Sequence, residues 1–173
     1  MKKTLLILLT LICFSGYSQN LTEIQNHLLN IVNEERRSRD LTPFEIDEEI
    51  NLAAKIQADY LSRITNFRQV SHTNPNPKLS SPSDRIKVGT NSKYRISNEN
   101  ITAFGYDETK TSLEIAQEAH NNFMNSQAHR VSIISKSFTI FDDRNPPPLY
   151  YGHYVTYNKK LNMIIVVQMF PRM

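Results

Sequence analysis

The chain has 173 residues, with 20 Lys and Arg against 17 Asp and Glu, a mean hydropathy of −0.46 and a single cysteine. Its formal charge of +3 and pI near 9.0 include Lys2 and Lys3 of a leader-like start, and without them the chain is close to neutral, so charge gives no argument for nucleic acid or an anionic membrane. One cysteine, Cys13, excludes an internal disulfide, and packing alone must hold the fold.

Residues 1–18 read as a secretory signal peptide: Lys2 and Lys3 are the charged start, Thr4 to Phe14 the apolar run, and Gly16 and Ser18 suit cleavage before Gln19. The apolar run is too short to span a bilayer. Leu11-Ile12 ahead of Cys13 lacks the small residue of a lipoprotein cleavage site, so no lipid anchor is expected. Cleavage leaves about 155 residues, enough for one domain with a real core, no membrane-spanning segment, and a destination in the periplasm or outside the cell.

From Leu21 to Arg37 the residues Leu21, Ile24, Leu28, Ile31 and Val32 recur at helical spacing, and Asn20 with Glu23 forms a capping-box-like start. Arg36, Arg37 and Arg39 suit the negative end of that helix, and Asp40-Leu41-Thr42-Pro43 stops it. A second helix is predicted from about Asp47 to Ile64, with Ile50, Ala53, Ala54, Gln57, Leu61 and Ile64 on one face and alanines small enough to admit another layer closely.

Between Thr73 and Asn98 the prolines, Ser and Asn predict mostly loop, with a helical turn near Ser83 to Lys87. Thr111 as N-cap with Glu114 opens a helix through Ile115, Ala119 and Phe123 that should end near Ser126, leaving His129 just past its terminus. The last third predicts strands at Phe138–Phe141, Tyr150–Tyr157 and Met163–Phe170. The final strand is apolar on both faces except at Gln168, so it should be central and covered on both sides. Helices followed by a sheet buried on two sides predict a three-layer α/β/α sandwich with a central, mainly antiparallel sheet.

Three polar islands stand out against these elements: Ser71-His72-Thr73, Asn98-Glu99-Asn100-Ile101, and the run Phe123-Met124-Asn125-Ser126-Gln127-Ala128-His129-Arg130 with its Ser-x-x-His-Arg ending. In this order they resemble the CAP superfamily of cysteine-rich secretory proteins, insect venom allergens and plant pathogenesis-related proteins. The likeness spans residues 24–171 and is strongest to the cysteine-free bacterial members, where tryptophan usually stands at the position of Phe123 and Pro-Gly at Gln127-Ala128.

The resemblance implies a cleft in which many members gather two histidines and two glutamates, some holding a divalent metal such as zinc. His72 and Glu99 match the first histidine and the Glu-Asn glutamate, whereas Ser126 and Ile165 stand where animal members have the other glutamate and histidine. His129 matches the bacterial Ser-x-x-His-Arg histidine, so the expected cleft comprises His72, Glu99, Ser126 and His129, with His153 at its edge. His72, Glu99 and His129 form a candidate Zn2+ set, two imidazoles and a carboxylate with a fourth position for water.

Their separations form no metal motif, and each has a plainer reading: His72 and His129 bonded to loop carbonyls, His129 beside a helix C-terminus, Glu99 fixing loop amides, His153 an ordinary strand histidine. His27 and His120 read as structural, and Arg130 as an ion-pair partner. Ser126 and His129 lack a nucleophile elbow and an evident third residue. The resulting expectation is a secreted, non-catalytic binding module for a lipid, glycan or protein ligand. A zinc-assisted hydrolase and a structural cell-surface interaction protein are the alternatives.

Overall fold

The computed structural model describes residues 2–135 and 149–172, with side chains from Asn20 onward except Ser97 and Arg172. In chain order its elements are α1 (Lys2–Arg37), β1 (Phe44–Ile46), α2 (Glu48–Leu61), α3 (Pro82–Gly89), β2 (Arg95–Gly105), α4 (Ser112–Asn125), α5 (Gln127–Ile134), β3 (Leu149–Asn158) and β4 (Met163–Arg172). Two 3-10 turns, Phe67–Gln69 and Pro77–Leu79, punctuate the stretch between α2 and α3. The described strands pair in the order β1-β3-β4-β2; β1 runs parallel to β3, and the other neighbours are antiparallel.

The apolar C-terminal run is the central strand, as its two-faced hydrophobicity predicts. Ile164, Val166 and Phe170 join one core with Ile24, Leu28 and Val32 of α1 and Ile115, Ala119 and Phe123 of α4. Ile165, Val167 and Met169 join the other, with Ile50, Ala53, Ala54, Ala58 and Leu61 of α2 and Ile86 of α3. Successive side chains of a strand point to opposite faces, so one segment nucleates both cores and the three-layer α/β/α sandwich follows.

The second helix begins where its sequence places it: the Asp47 side chain accepts from the backbone N–H of Glu49 and Ile50. Its alanines allow the close approach they predict, since a Cβ added at Gly89 of α3 would fall 2.8 Å from the Ala53 Cβ. At the other end, Asn158 Nδ2 donates to the carbonyls of Leu61 (2.9 Å) and Ile64 (3.0 Å), satisfying acceptors that the end of α2 leaves open.

Several expectations change. The first helix does not start at Asn20 but runs through it from Lys2, and the Ser112 hydroxyl bonds the side chains of Asn20 (3.0 Å) and Glu23 (2.7 Å), tying α1 to the start of α4. Strand β1 goes unpredicted because three residues are too short a run to signal a strand; its pairing with β3 makes it one. Strand β2 begins inside the Thr73–Asn98 stretch predicted as mostly loop and continues to Gly105, where no strand is predicted. Asn, Ser and Glu disfavour strands in isolation, and here the ladder with β4 overrides that preference. The predicted strand at Phe138–Phe141 lies outside the described residues.

Arg36 is not a solvated residue at a helix end. It is 1% exposed, its guanidinium lies 3.9 Å from the Phe44 ring centroid, and it donates to the carbonyls of Thr42 (2.7 Å) and Ile133 (2.5 Å). Burial lowers its pKa to about 10.

Candidate functional site

Strand β2 is the outermost described strand beside β4, and alternation turns its neighbouring residues Glu99 and Asn100 to opposite faces. Glu99 faces the layer of α2 and α3; Asn100 faces that of α4 and α5. The polar island Asn98-Glu99-Asn100-Ile101, for which no strand is predicted, therefore lies in the strand around which both halves of the site are built.

On the first face Glu99 is 4% exposed and meets Arg85 of α3, which is fully buried. Arg85 Nη2 donates to both carboxylate oxygens, at 2.8 and 2.7 Å, and to the backbone carbonyl of His72 at 3.0 Å. Its Nη1 donates to the carbonyls of Leu79 (2.9 Å) and Ser80 (3.2 Å). Local sequence puts Arg85 there: Ser81 and Asp84 form a capping box, Pro82 opens the first turn, and Arg85 follows on the inner side of α3.

His72 closes this arrangement, its Nδ1 lying 2.8 Å from Glu99 Oε1, while about half of its side chain (52%) stays accessible. The strand of loop that carries it is pinned to α2 by Gln57, whose amide donates to the Ser71 carbonyl (2.8 Å) and accepts from Asn74 (3.2 Å).

On the opposite face Asn100 Nδ2 donates to the His129 carbonyl (3.0 Å) and to Gln168 Oε1 (3.2 Å), and Gln168 Nε2 donates to the Tyr151 hydroxyl (2.8 Å). The single polar interruption in β4 is thus part of a buried amide chain. Asn98, also on this face, donates to the hydroxyl of Ser132 on α5. His129 lies past the end of α4, which stops at Asn125 as expected, but in the first turn of a new helix, α5, that starts at Gln127 with Ser126 between the two. Its ring packs edge-on against Phe123 at 5.6 Å. Burial, then the charge of nearby His72, lowers its pKa and so favours the neutral imidazole.

His72 and Glu99 therefore touch, and His129 is held to the next residue of the same strand through its backbone. Ser126 is half-buried at the junction of α4 and α5, where its backbone carbonyl receives the Arg130 N–H. His153 is not at the cleft edge. It is 3% exposed, stacked on Tyr151, with Nε2 at 2.9 Å from the Gln25 carbonyl of α1. Its odd register on β3 turns it toward α1, and burial lowers its pKa to about 4.

Arg130 makes no ion pair among the described residues; it donates to the Met124 carbonyl at the end of α4 (3.1 Å). His27 lies 3.9 Å from Glu23, and His120 is buried between helices with its pKa lowered by desolvation, partly offset by Glu35. A separate depression of about 530 Å3 lies between α1, α4 and α5, lined by Glu34, Glu35, Arg39, His120, Met124 and Arg130 among others.

The residue that sequence reading missed is Arg85. The helical turn carrying it is predicted, but a lone arginine there has no signature, and only the packing of α3 on β2 places it against Glu99. Arg85 also bears on metal binding. Both oxygens of Glu99 already accept from the guanidinium, so a cation would have to displace a buried positive charge. No group of three His, Cys, Asp or Glu among the described residues could hold a metal ion, and His72, Glu99 and His129 are not such a group.

The sandwich, with His72 meeting the Glu-Asn pair on its outer described strand, defines an α/β/α domain with a polar site at one edge of the sheet. The chain belongs to the cysteine-rich secretory protein family (CAP), whose model matches residues 29–141. Two solved structures share the fold. An outer surface protein from Borrelia burgdorferi is 21% identical with a TM-score of 0.64, the match covering 87% of this chain and 92% of that one. An extracellular protein containing an SCP domain from Bacillus anthracis is 20% identical with a TM-score of 0.56, covering 90% of this chain and 41% of that one. Among curated proteins none matches the chain by sequence. No described helix is long and apolar enough to cross a membrane.

Proposed function

We propose that the protein is a secreted, non-catalytic binding module whose cleft, formed by His72, Glu99, Ser126 and His129 around β2, takes a neutral, hydroxyl-rich ligand of the glycan class. The observation that carries this reading is the internal neutralisation of Glu99 by Arg85. With that carboxylate occupied and burial favouring the neutral form of His129, the cleft offers hydrogen-bonding groups and no unpaired carboxylate. Such a surface suits hydroxyl and amide groups better than an anionic headgroup. The packing of the His129 ring on Phe123 supports binding over hydrolysis, since it gives Ser126 no base oriented by a third group.

The test is an NMR titration of the 15N-labelled protein with a soluble N-acetylglucosamine tetramer. Shifts at His72, Asn100 and His129 that saturate, and that vanish in a folded His72→Ala variant, are expected. Response instead to a short-chain fatty acid would reassign the ligand to lipids, and response to neither would overturn the glycan reading.

The same proposal takes residues 1–18 as a removed signal peptide and 24–171 as the domain, with an extracellular or periplasmic destination. The outer surface and extracellular character of the two similar structures supports it. Mass spectrometry of the protein recovered from its native compartment should give an N-terminus at Gln19; an intact Met1 start would reject the signal peptide.

A further inference from the structure

We infer that Arg85 is the positioning residue of the cleft, fixing both the place and the tautomer of His72. The inference builds on the reading of that cleft as the binding site. Here one guanidinium nitrogen addresses the main chain of His72 directly and its imidazole through Glu99. Arg85 Nη2 donates to the His72 backbone carbonyl at 3.0 Å and to the Glu99 oxygens at 2.8 and 2.7 Å, and the first of those oxygens lies 2.8 Å from His72 Nδ1. Backbone, guanidinium, carboxylate and imidazole form a closed ring, so the imidazole is located relative to its own main chain.

A guanidinium facing both oxygens favours the ionised, acceptor-only form of the Glu99 carboxylate. The hydrogen between Glu99 and His72 then comes from the histidine, so in the neutral imidazole Nδ1 carries the proton and Nε2 is a bare acceptor. His72 is the accessible member of the ring, with Arg85 and the Glu99 side chain almost wholly covered. The cleft therefore presents a fixed acceptor nitrogen, which suits a ligand hydroxyl or N–H donor. Nη1 adds the carbonyls of Leu79 and Ser80, work that a single ammonium cannot reproduce alongside the carboxylate.

Long-range 15N–1H NMR of the imidazole, at a pH where His72 is neutral, reads this directly. In the wild type His72 is expected as the Nδ1–H tautomer; a predominant Nε2–H form would overturn the inference whatever any variant does. In Arg85→Lys, the charge persists and the ring does not, and a shift toward mixed tautomers with a severalfold loss of N-acetylglucosamine tetramer affinity is expected. A folded Arg85→Lys protein with the wild-type tautomer would reject the positioning role. A fixed Nδ1–H tautomer in a protein that binds no oligosaccharide would retain this inference and discard the ligand class.

Discussion

Arg85 and Glu99 form an ion pair at 2.7 Å with both side chains almost completely buried, one on α3 and the other on β2. Removing one partner of such a pair leaves an uncompensated charge, which costs about 3–5 kcal/mol, whereas replacing both by apolar groups is often neutral or better. Arg85→Met is therefore expected to lower unfolding free energy by about 3–5 kcal/mol in urea titration, and the Arg85→Met/Glu99→Leu double variant to recover most of it. Equal loss in the single and double variants would mean that the guanidinium stabilises chiefly through the carbonyls of His72, Leu79 and Ser80.

The central strand predicts a matched pair of effects. Ile165 and Val166 are both fully buried but face different cores. Aspartate at either position places a charge in an apolar layer, and each substitution should cost several kcal/mol, well above a typical surface change. Thermal midpoints measured side by side should fall together. A midpoint near wild type for either one would show that its layer is open to water.

Acid should weaken the fold through its buried histidines. His153 has a folded pKa near 4, below the value of about 6.5 expected when unfolded. Between those values the unfolded chain binds the extra proton, so stability is full above about pH 6.5 and falls as pH drops toward 4. The single-site contribution is on the order of 3 kcal/mol, and His120 and His129 are shifted in the same direction. The lowered carboxylates Asp47, Asp84, Asp107 and Glu114 act at lower pH, from their ordinary values downward. Urea midpoints at pH 7, 5.5 and 4.5 should decline in the wild type and decline less in His153→Gln, whose amide can still donate to the Gln25 carbonyl. An identical slope in both would remove His153 as a source.

Zinc is expected to bind weakly at best. The Glu99 oxygens are committed to Arg85 and His72, and the positions filled by acidic and basic ligands in animal relatives hold Ser126 and Ile165. Calorimetric titration of tag-free protein should give a flat trace in the micromolar range. Submicromolar affinity that falls steeply from pH 7 to 5 and disappears in His72→Ala would show that the ion displaces the guanidinium.

The sequence by itself determined the elements that carry periodic or capping information. The amphipathic patterns of α1, α2 and α4, the helix start at Asp47, the cap at Thr111, and the two-faced apolar run of β4, broken only at Gln168 between Met163 and Phe170, follow from contacts within one turn or one strand. The order of the three polar islands, matched to a family, was enough to select His72 and Glu99. Tertiary structure alone decided the rest. The pairing with β4 made a strand of the polar stretch around Glu99, and the alternation of that strand then sent Glu99 and Asn100 to opposite layers. The docking of α3 brought Arg85 to Glu99 across 14 positions of sequence, and the new helix after Ser126 put His129 at a helix start. The register of β3 turned His153 inward to α1. Each of these depends on where a backbone sits relative to a distant neighbour, and a partner for a single charged residue leaves no trace in local periodicity.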